Sequence, residues 1–399
     1  LLLLFGKLGD IYGKIRVFKI GSVLFIIGSF LSGFSVGLPL LLIARSIQAV
    51  GAAMTMSTNN GIITEVFPFK ERGRALGMIG SFVALGSIAG PGIGGLILAH
   101  LSWGYIFWIN VPVGILAMIL GAMILPKDVT TTQQPLDKTG AGLFAVLMVA
   151  LFAGVFIGQQ IGFTQPVILG LFIVAIVTLV VFIRVELRHE NPLLALQLFK
   201  NARFSVSILC ALLIFIANFF FNVIAPFYLE NARGLAANYA GYALMVFPIV
   251  QVVVAPIAGT ISDKIGPELL TFVGLVLISI SQVGYMVVGL ATPLWFFLLF
   301  VGLVGFGNGI FMAPNNSIVM SSVAVKDLGV AGGINALARE LGMIVGISVA
   351  TTVLYSAMSQ SAGYKVTSYL PAHPEVFIDG MHIAFMVSLG ICLVATVIT

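Results

Sequence analysis

Long apolar runs are the feature that most limits how this chain can fold. Stretches of about 20 residues with few charges recur along the sequence, which is the length an α-helix needs to cross a bilayer and about twice that of a barrel strand. Of the 399 residues, only 8% are Asp, Glu, Lys or Arg, against about 25% in a soluble domain. A soluble globule could not cover its surface with so few charges. The sequence therefore predicts an all-α polytopic membrane protein.

Polar, charged and Gly/Pro-rich breaks divide the chain into eleven full spans and two partial ones. One partial span ends near Phe5, and another begins near Asp379 and is cut short. We therefore expect a fragment that lacks a first span. The predicted full spans are residues 17–36, 38–64, 74–99, 104–125, 140–162, 166–185, 204–229, 237–261, 268–291, 293–322 and 328–358.

The basic residues are distributed very unevenly over the connections between spans. Of nineteen Lys and Arg residues, fifteen fall in one alternating set of connections and only Arg233 and Lys365 fall in the other. The remaining two, Arg45 and Arg339, lie within spans. Positive residues mark the cytoplasmic side of membrane proteins, so topology explains the net charge of +5. No nucleic-acid partner is expected.

The sequence shows no pattern typical of an enzyme, a metal site or a cofactor site. Cys210 and Cys392 both lie in apolar runs without redox or metal spacing, and the four His residues are scattered. A GxxxxGK[ST] phosphate loop is also missing, so ATP is not the expected energy source. We expect neither cofactor nor metal.

An internal repeat relates the two ends of the chain. The segment 6–13, GKLGDIYG, recurs as 259–266, GTISDKIG, and matching residues at a similar offset pair 73–90 with 329–346. Both loops lie on the predicted cytoplasmic side, so the repeats are parallel, which is a recurrent transporter design. The simplest arrangement inserts two helices between two bundles. The expected domains are an N-terminal bundle, an inserted pair with its flanking segments, and a C-terminal bundle, over residues 1–125, 126–203 and 204–399.

Four segments carry a resemblance to a known family: the loop GKLGDIYGKIR at 6–16, RSIQAVGAA at 45–53, GSIAGPGIGG at 86–95 and WGYIFWINVPVG at 103–114. They resemble the fourteen-span drug:proton antiporter family of the major facilitator superfamily, of the quaternary-ammonium and multidrug resistance type. The resemblance implies two six-helix bundles plus two inserted helices. It also implies a monomer in a bacterial cytoplasmic membrane that exports small hydrophobic, often cationic drugs against inward proton flow.

The loop and the glycine-rich span are the candidates for conformational switching. A carboxylate at Asp10 can accept backbone N–H groups at a helix start, and the basic residues after it can form a salt bridge in one state. Small residues every fourth position allow helices to approach closely. A plain tight turn and ordinary helix packing are the alternatives. The candidate switching residues are Gly6, Asp10, Gly13, Lys14, Arg16, Asp263, Gly86, Gly90, Pro91, Gly94 and Gly95.

Charges inside spans are the candidates for proton coupling, because they are costly in a membrane and usually functional. Glu340 lies near mid-span next to Arg339, and adjacent helix positions are about 100° apart, so we expect Glu340 to bind a proton rather than to form a static pair. The resemblance implies a proton role for Arg45, with pairing to helix carbonyls as the alternative. Glu65, at the cytoplasmic end of its helix, and Asp379, at the outer start of the last span, are both expected to be solvated helix-end charges. Asp379 is kept as a second candidate because an acid facing the mouth could recruit protons.

Amide and aromatic side chains in mid-span are the candidate substrate contacts. An apolar cavity with a few amides suits hydrophobic drugs, and interhelical hydrogen bonding or lipid-facing packing explains the same residues equally well. The candidates are Gln48, Asn218, Asn222, Gln251 and Phe219. An exporter of one metabolite or antibiotic, or a non-transporting membrane scaffold or sensor, remains the alternative function.

Overall fold

A computed structural model of the chain describes residues 1–34, 37–68, 71–126, 128, 137–162, 165–189, 192–194, 196–366, 368–371 and 373–399. These residues form helices joined by short connections. In chain order the helices are α1 Leu2–Tyr12, α2 Lys14–Gly33, α3 Leu38–Val66, α4 Arg72–His100, α5 Tyr105–Trp108, α6 Asn110–Ile124, α7 Lys138–Ile161, α8 Pro166–Arg188, α9 Ala202–Phe227, α10 Ala237–Ile265, α11 Pro267–Met286, α12 Leu294–Ser321, α13 Leu328–Ala362 and α14 Pro374–Ile398.

The predicted spans are recovered as helices. Eleven helical segments of the described chain are long and apolar enough to cross a membrane, and ten of them coincide with predicted full spans. The remaining predicted span, 74–99, is the 29-residue helix α4. The eleventh segment, α14, corrects one boundary: it begins at Pro374 rather than near residue 379 and has 25 residues. Proline is favoured in the first turn of a helix, which explains the earlier start.

The described chain divides into two compact units. The first contains residues 1–66, 94–205 and 322–337. Within it, α2 packs on α3 and on α6, α1 packs on both α2 and α3, and α7 packs on α8. The α7–α8 hairpin corresponds to the helix pair that the sequence places between the repeats.

The second unit contains residues 67–93, 206–321 and 338–399. Its core is aromatic, with Tyr285 stacked on Phe221 at a ring-centroid distance of 5.4 Å and fully buried. Around this core, α12 packs on α10 and α11, and α11 packs on α14. The division of the chain into domains 1–125, 126–203 and 204–399 stays a prediction.

Glycines at equivalent positions give the two repeats the same local structure. Gly13 and Gly266 separate helices at φ values of 103° and 94°, a region that side chains other than glycine rarely adopt. Glycines also bring helices together: a Cβ atom on Gly21 would lie 2.9 Å from the Gly51 carbonyl oxygen, and one on Gly274 would lie 2.8 Å from that of Gly307. The α2–α3 contact and the α11–α12 contact are therefore built alike.

Candidate functional site

Asp10 contacts the start of α13 directly. Its Oδ1 accepts the Gly329 N–H at 2.8 Å and its Oδ2 accepts the Val330 N–H at 2.9 Å, and the residue is 3% exposed. The first N–H groups of a helix have no partner within the helix and carry partial positive charge, so a carboxylate satisfies both needs. Glycine makes the approach possible, because a Cβ on Gly6 would overlap the Gly329 carbonyl. The carboxylate-to-helix contact that the sequence suggests is present.

A buried lysine links Asp10 to α3. The Lys14 Nζ lies 3.1 Å from Asp10 Oδ1 and 2.8 Å from Glu65 Oε1, and the Lys14 side chain is 1% exposed. Its aliphatic stem passes Gly61, where a Cβ would come within 3.0 Å. The interpretation of Glu65 as a solvated helix-end charge is therefore wrong: it is the second carboxylate of a Lys14-centred network. The Arg16 side chain, in contrast, is exposed.

The second copy of the loop makes an equivalent contact. Asp263 Oδ2 accepts the Arg74 N–H at 3.0 Å, at the start of α4. The sequence repeat aligns Arg74 with Val330, so each loop aspartate caps the equivalent helix of the other repeat. The sequence repeat predicts an acid at Asp263, and the structure identifies the Arg74 N–H as the group that this acid accepts.

Asp128 forms a third cap of the same kind, which sequence reasoning missed. It accepts the Ile15 N–H on Oδ1 at 2.7 Å and the Arg16 N–H on Oδ2 at 3.0 Å, at the start of α2. Gly13 leaves room for it, because a Cβ there would overlap the Asp128 carboxylate. An acid in a connection more than a hundred residues from its partner gives no local signal.

Three glycines of the α4 stripe have no close neighbour among the described residues. A Cβ atom on Gly86, Gly90 or Gly94 would meet no described atom within 4 Å. The described part of the chain therefore does not show the tight packing that their spacing predicts. Pro91 and Gly95, from the same motif, lie within α4, and their role in switching stays a prediction.

Arg45 lies in a small polar group on α3. It donates to Gln48 Oε1, and its guanidinium lies 5.4 Å from the centre of the Phe107 ring. Gln48 is buried and donates in turn to Ser29 Oγ at 2.7 Å. Gln48 therefore holds Arg45 and is itself held by α2.

Glu340 and Arg339 form the ion pair that the sequence argument discounted. Arg339 Nε lies 3.7 Å from Glu340 Oε1, with 31% and 32% of the two side chains exposed. The expectation that neighbouring helix residues do not pair is wrong here, because long side chains can bend toward each other across 100°. At 3.7 Å the contact is electrostatic and not a hydrogen bond.

Asp379 lines a cavity of 370 Å³ in the second unit. Ser361 Oγ donates to Asp379 Oδ2 at 2.7 Å, and His382 shares the cavity wall while its Nε2 lies 2.8 Å from the Val288 carbonyl oxygen. Sequence reasoning named Asp379 and missed His382. Their spacing of three residues, on one face of α14, was the signal available.

The candidate substrate residues of α9 have separate environments. Asn218 is buried and exchanges amide hydrogen bonds with Asn308 of α12, at 2.7 and 3.1 Å. Asn222 is exposed and donates to the Asn218 carbonyl at 3.0 Å. Phe219 and Gln251 are half-buried. Asn218 therefore joins two helices, which leaves its amide occupied.

The sequence profile of the Major Facilitator Superfamily matches residues 1–347. The chain belongs to this superfamily. It is 32% identical to the riboflavin transporter RibZ of Clostridioides difficile over 399 residues, covering 100% of this chain and 85% of that protein. It is 30% identical to multidrug resistance protein 3 of Bacillus subtilis over 395 residues, covering 94% and 76%.

Two solved transporters share the fold. The human organic anion transporter MFSD10 aligns with a TM-score of 0.66 at 15% identity, covering 100% of this chain and 79% of its own. The proton:xylose symporter XylE aligns with a TM-score of 0.65 at 13% identity, covering 99% and 82%. The predicted major facilitator fold is confirmed. The protein is a multi-pass membrane transporter of this superfamily rather than an enzyme.

Proposed function

We propose that the protein is a proton-coupled multidrug efflux antiporter of the fourteen-span family, in a bacterial cytoplasmic membrane. Export of small hydrophobic, often cationic drugs is supported by the segment 86–95, which resembles the family's antiporter motif, and by relatives named for multidrug resistance. The α7–α8 hairpin supports the fourteen-span assignment. The proposed partners are the drugs, protons and the lipid bilayer, and the proposed transporting unit is a monomer.

The observation that carries the switching mechanism is the Asp10 contact with α13. It joins a loop to the start of a helix through two hydrogen bonds to one carboxylate, so it breaks or forms as a unit. Lys14 pairs with both Asp10 and Glu65, so the carboxylate that leaves α13 still has a cation beside it. We propose that the contact stabilises one state of the transport cycle and that Asp263 acts likewise at α4.

Proton coupling is assigned to Glu340, Asp379 and Arg45. The Arg339–Glu340 pair is only partly exposed and lacks a hydrogen bond, so protonation of Glu340 breaks one electrostatic contact at low cost. Asp379 faces a cavity beside His382, where a proton can be received. Arg45 is the cation whose contact with Gln48 would respond to the passing charge.

A narrow-specificity exporter is the second candidate, and one observation favours it. The relative named as a riboflavin transporter aligns over 100% of this chain. In this case the candidates of α9 and α10, Asn222, Phe219 and Gln251, would recognise one polar aromatic compound rather than many hydrophobic ones.

Transport into inside-out membrane vesicles distinguishes the candidates. We expect acidification of the lumen to drive accumulation of ethidium and of at least one unrelated cationic dye, with each competing against the other. Accumulation of riboflavin alone would support the narrow exporter, and accumulation of neither class would support a scaffold or sensor. The Glu375→Gln variant, which removes an exposed charge from the α14 start, is the matched control for Asp379→Asn.

A further inference from the structure

Two buried carboxylates meet where α7 begins and α8 ends. Asp137 precedes α7 and its Oδ1 accepts the Gly140 N–H at 2.8 Å, while Glu186, in the last turn of α8, accepts the Leu194 N–H on Oε2 at 2.9 Å. The two residues are 1% and 3% exposed. One oxygen of each carboxylate therefore binds a backbone N–H group. Asp137 binds the start of α7, and Glu186 binds Leu194 in the segment after α8, residues 192–194.

The other two oxygens face the same small space. Asp137 Oδ2 and Glu186 Oε1 are both buried, and neither has a hydrogen-bond partner in the described part of the chain. Both point at Gly140, where a single Cβ atom would overlap the two of them. Buried polar atoms are almost always hydrogen-bonded, so two unpartnered acceptors aimed at one point indicate an occupant between them.

A proton is the occupant that fits. Two carboxylates this close cannot both be ionised, because like charges in a buried site repel strongly, and one proton converts the repulsion into a hydrogen bond. The space beside Gly140 is too small for a methyl carbon, because a carboxylate oxygen lies on each side of it. About one helical turn from Gly140 and from Glu186, the Phe144 and Phe182 rings pack on each other with centroids 5.6 Å apart.

The charged groups around the pair leave this space to the proton. His189 Nε2 lies 3.8 Å from Asp137 Oδ1, on the oxygen that already accepts Gly140, and the His189 side chain is 38% exposed. The basic side chains nearest along the two helices, Lys138, Arg184 and Arg188, are exposed. Among the described residues, none of these cations donates a hydrogen bond to either of the two facing oxygens.

We propose that Asp137 and Glu186 bind one proton between them, and that this shared proton fastens the segment after α8 to the start of α7. When the pair loses its proton, the two carboxylates repel each other. The hydrogen bond from Leu194 N–H to Glu186 then breaks, because Asp137 is fixed by its hydrogen bond to Gly140 in the first turn of α7. The pair shares no residue with the proton-coupling candidates Glu340, Asp379 and Arg45. It depends neither on the transported compound nor on proton-coupled transport.

Infrared difference spectroscopy of the purified full chain tests the shared proton. Between neutral and alkaline pH, we expect the wild type to lose a protonated-carboxyl C=O band that is missing from both Glu186→Gln and Asp137→Asn, because one proton serves both residues. Glu375→Gln, at an exposed carboxylate, should keep the band. A band that survives in either of the two variants, or a wild type without one, would overturn the proposal.

Hydrogen exchange at the Leu194 amide supplies a second readout. Its protection factor should fall on alkalinisation in the wild type and stay constant in Glu186→Gln, whose neutral amide keeps both an acceptor for Leu194 and a donor for Asp137. The alternative occupant is a metal ion. A melting temperature that drops with EDTA and recovers with added CaCl₂, without a titrating carboxyl band, would replace the proton by a cation.

Discussion

Removing the negative charge of Asp10 tests the proposed switch at one contact, the one between Asp10 and the start of α13. In Asp10→Asn, the amide oxygen can still accept one of the two N–H groups of Gly329 and Val330, while the other N–H loses its acceptor in a buried site. An unsatisfied buried donor costs about 1–3 kcal/mol. The lost negative charge at a helix start costs about 0.3–1 kcal/mol more. Lys14 keeps Glu65 as a partner, so no further penalty arises there.

A total of about 2 kcal/mol, near the lower end of this sum, changes the equilibrium about 30-fold, because each 1.4 kcal/mol is a factor of ten. A contact formed in about 90% of molecules would then be formed in about a quarter. Asp10→Asn should therefore move most of the population to the state in which α1 and the start of α13 are apart.

Spin labels on Tyr12→Cys and Val325→Cys measure this population. Both native side chains are more than half exposed, at 58% and 51%, and the native thiols Cys210 and Cys392 are buried. The distance distribution should shift from one dominant short population to a dominant long one in Asp10→Asn. Asp327→Asn removes a negative charge near the same helix start and leaves both Asp10 hydrogen bonds in place, so it should change little. An unchanged distribution in Asp10→Asn would refute the switching role.

Three other substitutions have expected outcomes. Asp263→Asn removes a carboxylate that accepts the Arg74 N–H and should shift the equilibrium between the formed and broken contact at α4 by at least about 1 kcal/mol, the net value of one hydrogen bond; an unchanged distance distribution between the Asp263 loop and the start of α4 would contradict this. Gly13→Ala places a Cβ atom on a backbone with a φ of 103° and should lower the free energy of unfolding by about 1–2 kcal/mol, measured by thermal unfolding in detergent. Asn308→Leu strands the buried Asn218 amide and should destabilise by about 1–3 kcal/mol, whereas Asn218→Leu combined with Asn308→Leu should recover part of that loss; equal or greater loss in the double variant would contradict the reciprocal pair.

Periodic and repeated features of this fold were predictable from sequence because they are local. A span needs only length and apolarity, and a repeat needs only matching positions, so the helices and the equivalent turns at Gly13 and Gly266 follow. The boundaries differ by a few residues: α2 begins at Lys14 rather than near residue 17, because the positive φ of Gly13 ends the preceding turn there.

The partners of polar residues were not predictable, since they depend on how distant helices meet. Asp128 and Glu65 acquire their roles from α2 and Lys14, and neither has a neighbour in sequence that shows it. Asn308 was overlooked because an amide flanked by Gly307 and Gly309 has no periodic signal. The prediction that Arg339 and Glu340 do not pair was wrong for another reason. Helix geometry fixes the direction of each Cβ atom, but two long side chains can still bend toward each other.

The proposed function couples drug export to proton entry. Proteoliposomes loaded with a pH-sensitive dye and holding a proton gradient measure this coupling. Addition of ethidium should accelerate loss of the gradient in the wild type and leave it unchanged in Glu340→Gln, while ethidium still binds that variant. Proton coupling would be contradicted if ethidium did not change the rate of gradient loss in the wild type. It would also be contradicted if ethidium accelerated that loss as much in Glu340→Gln as in the wild type.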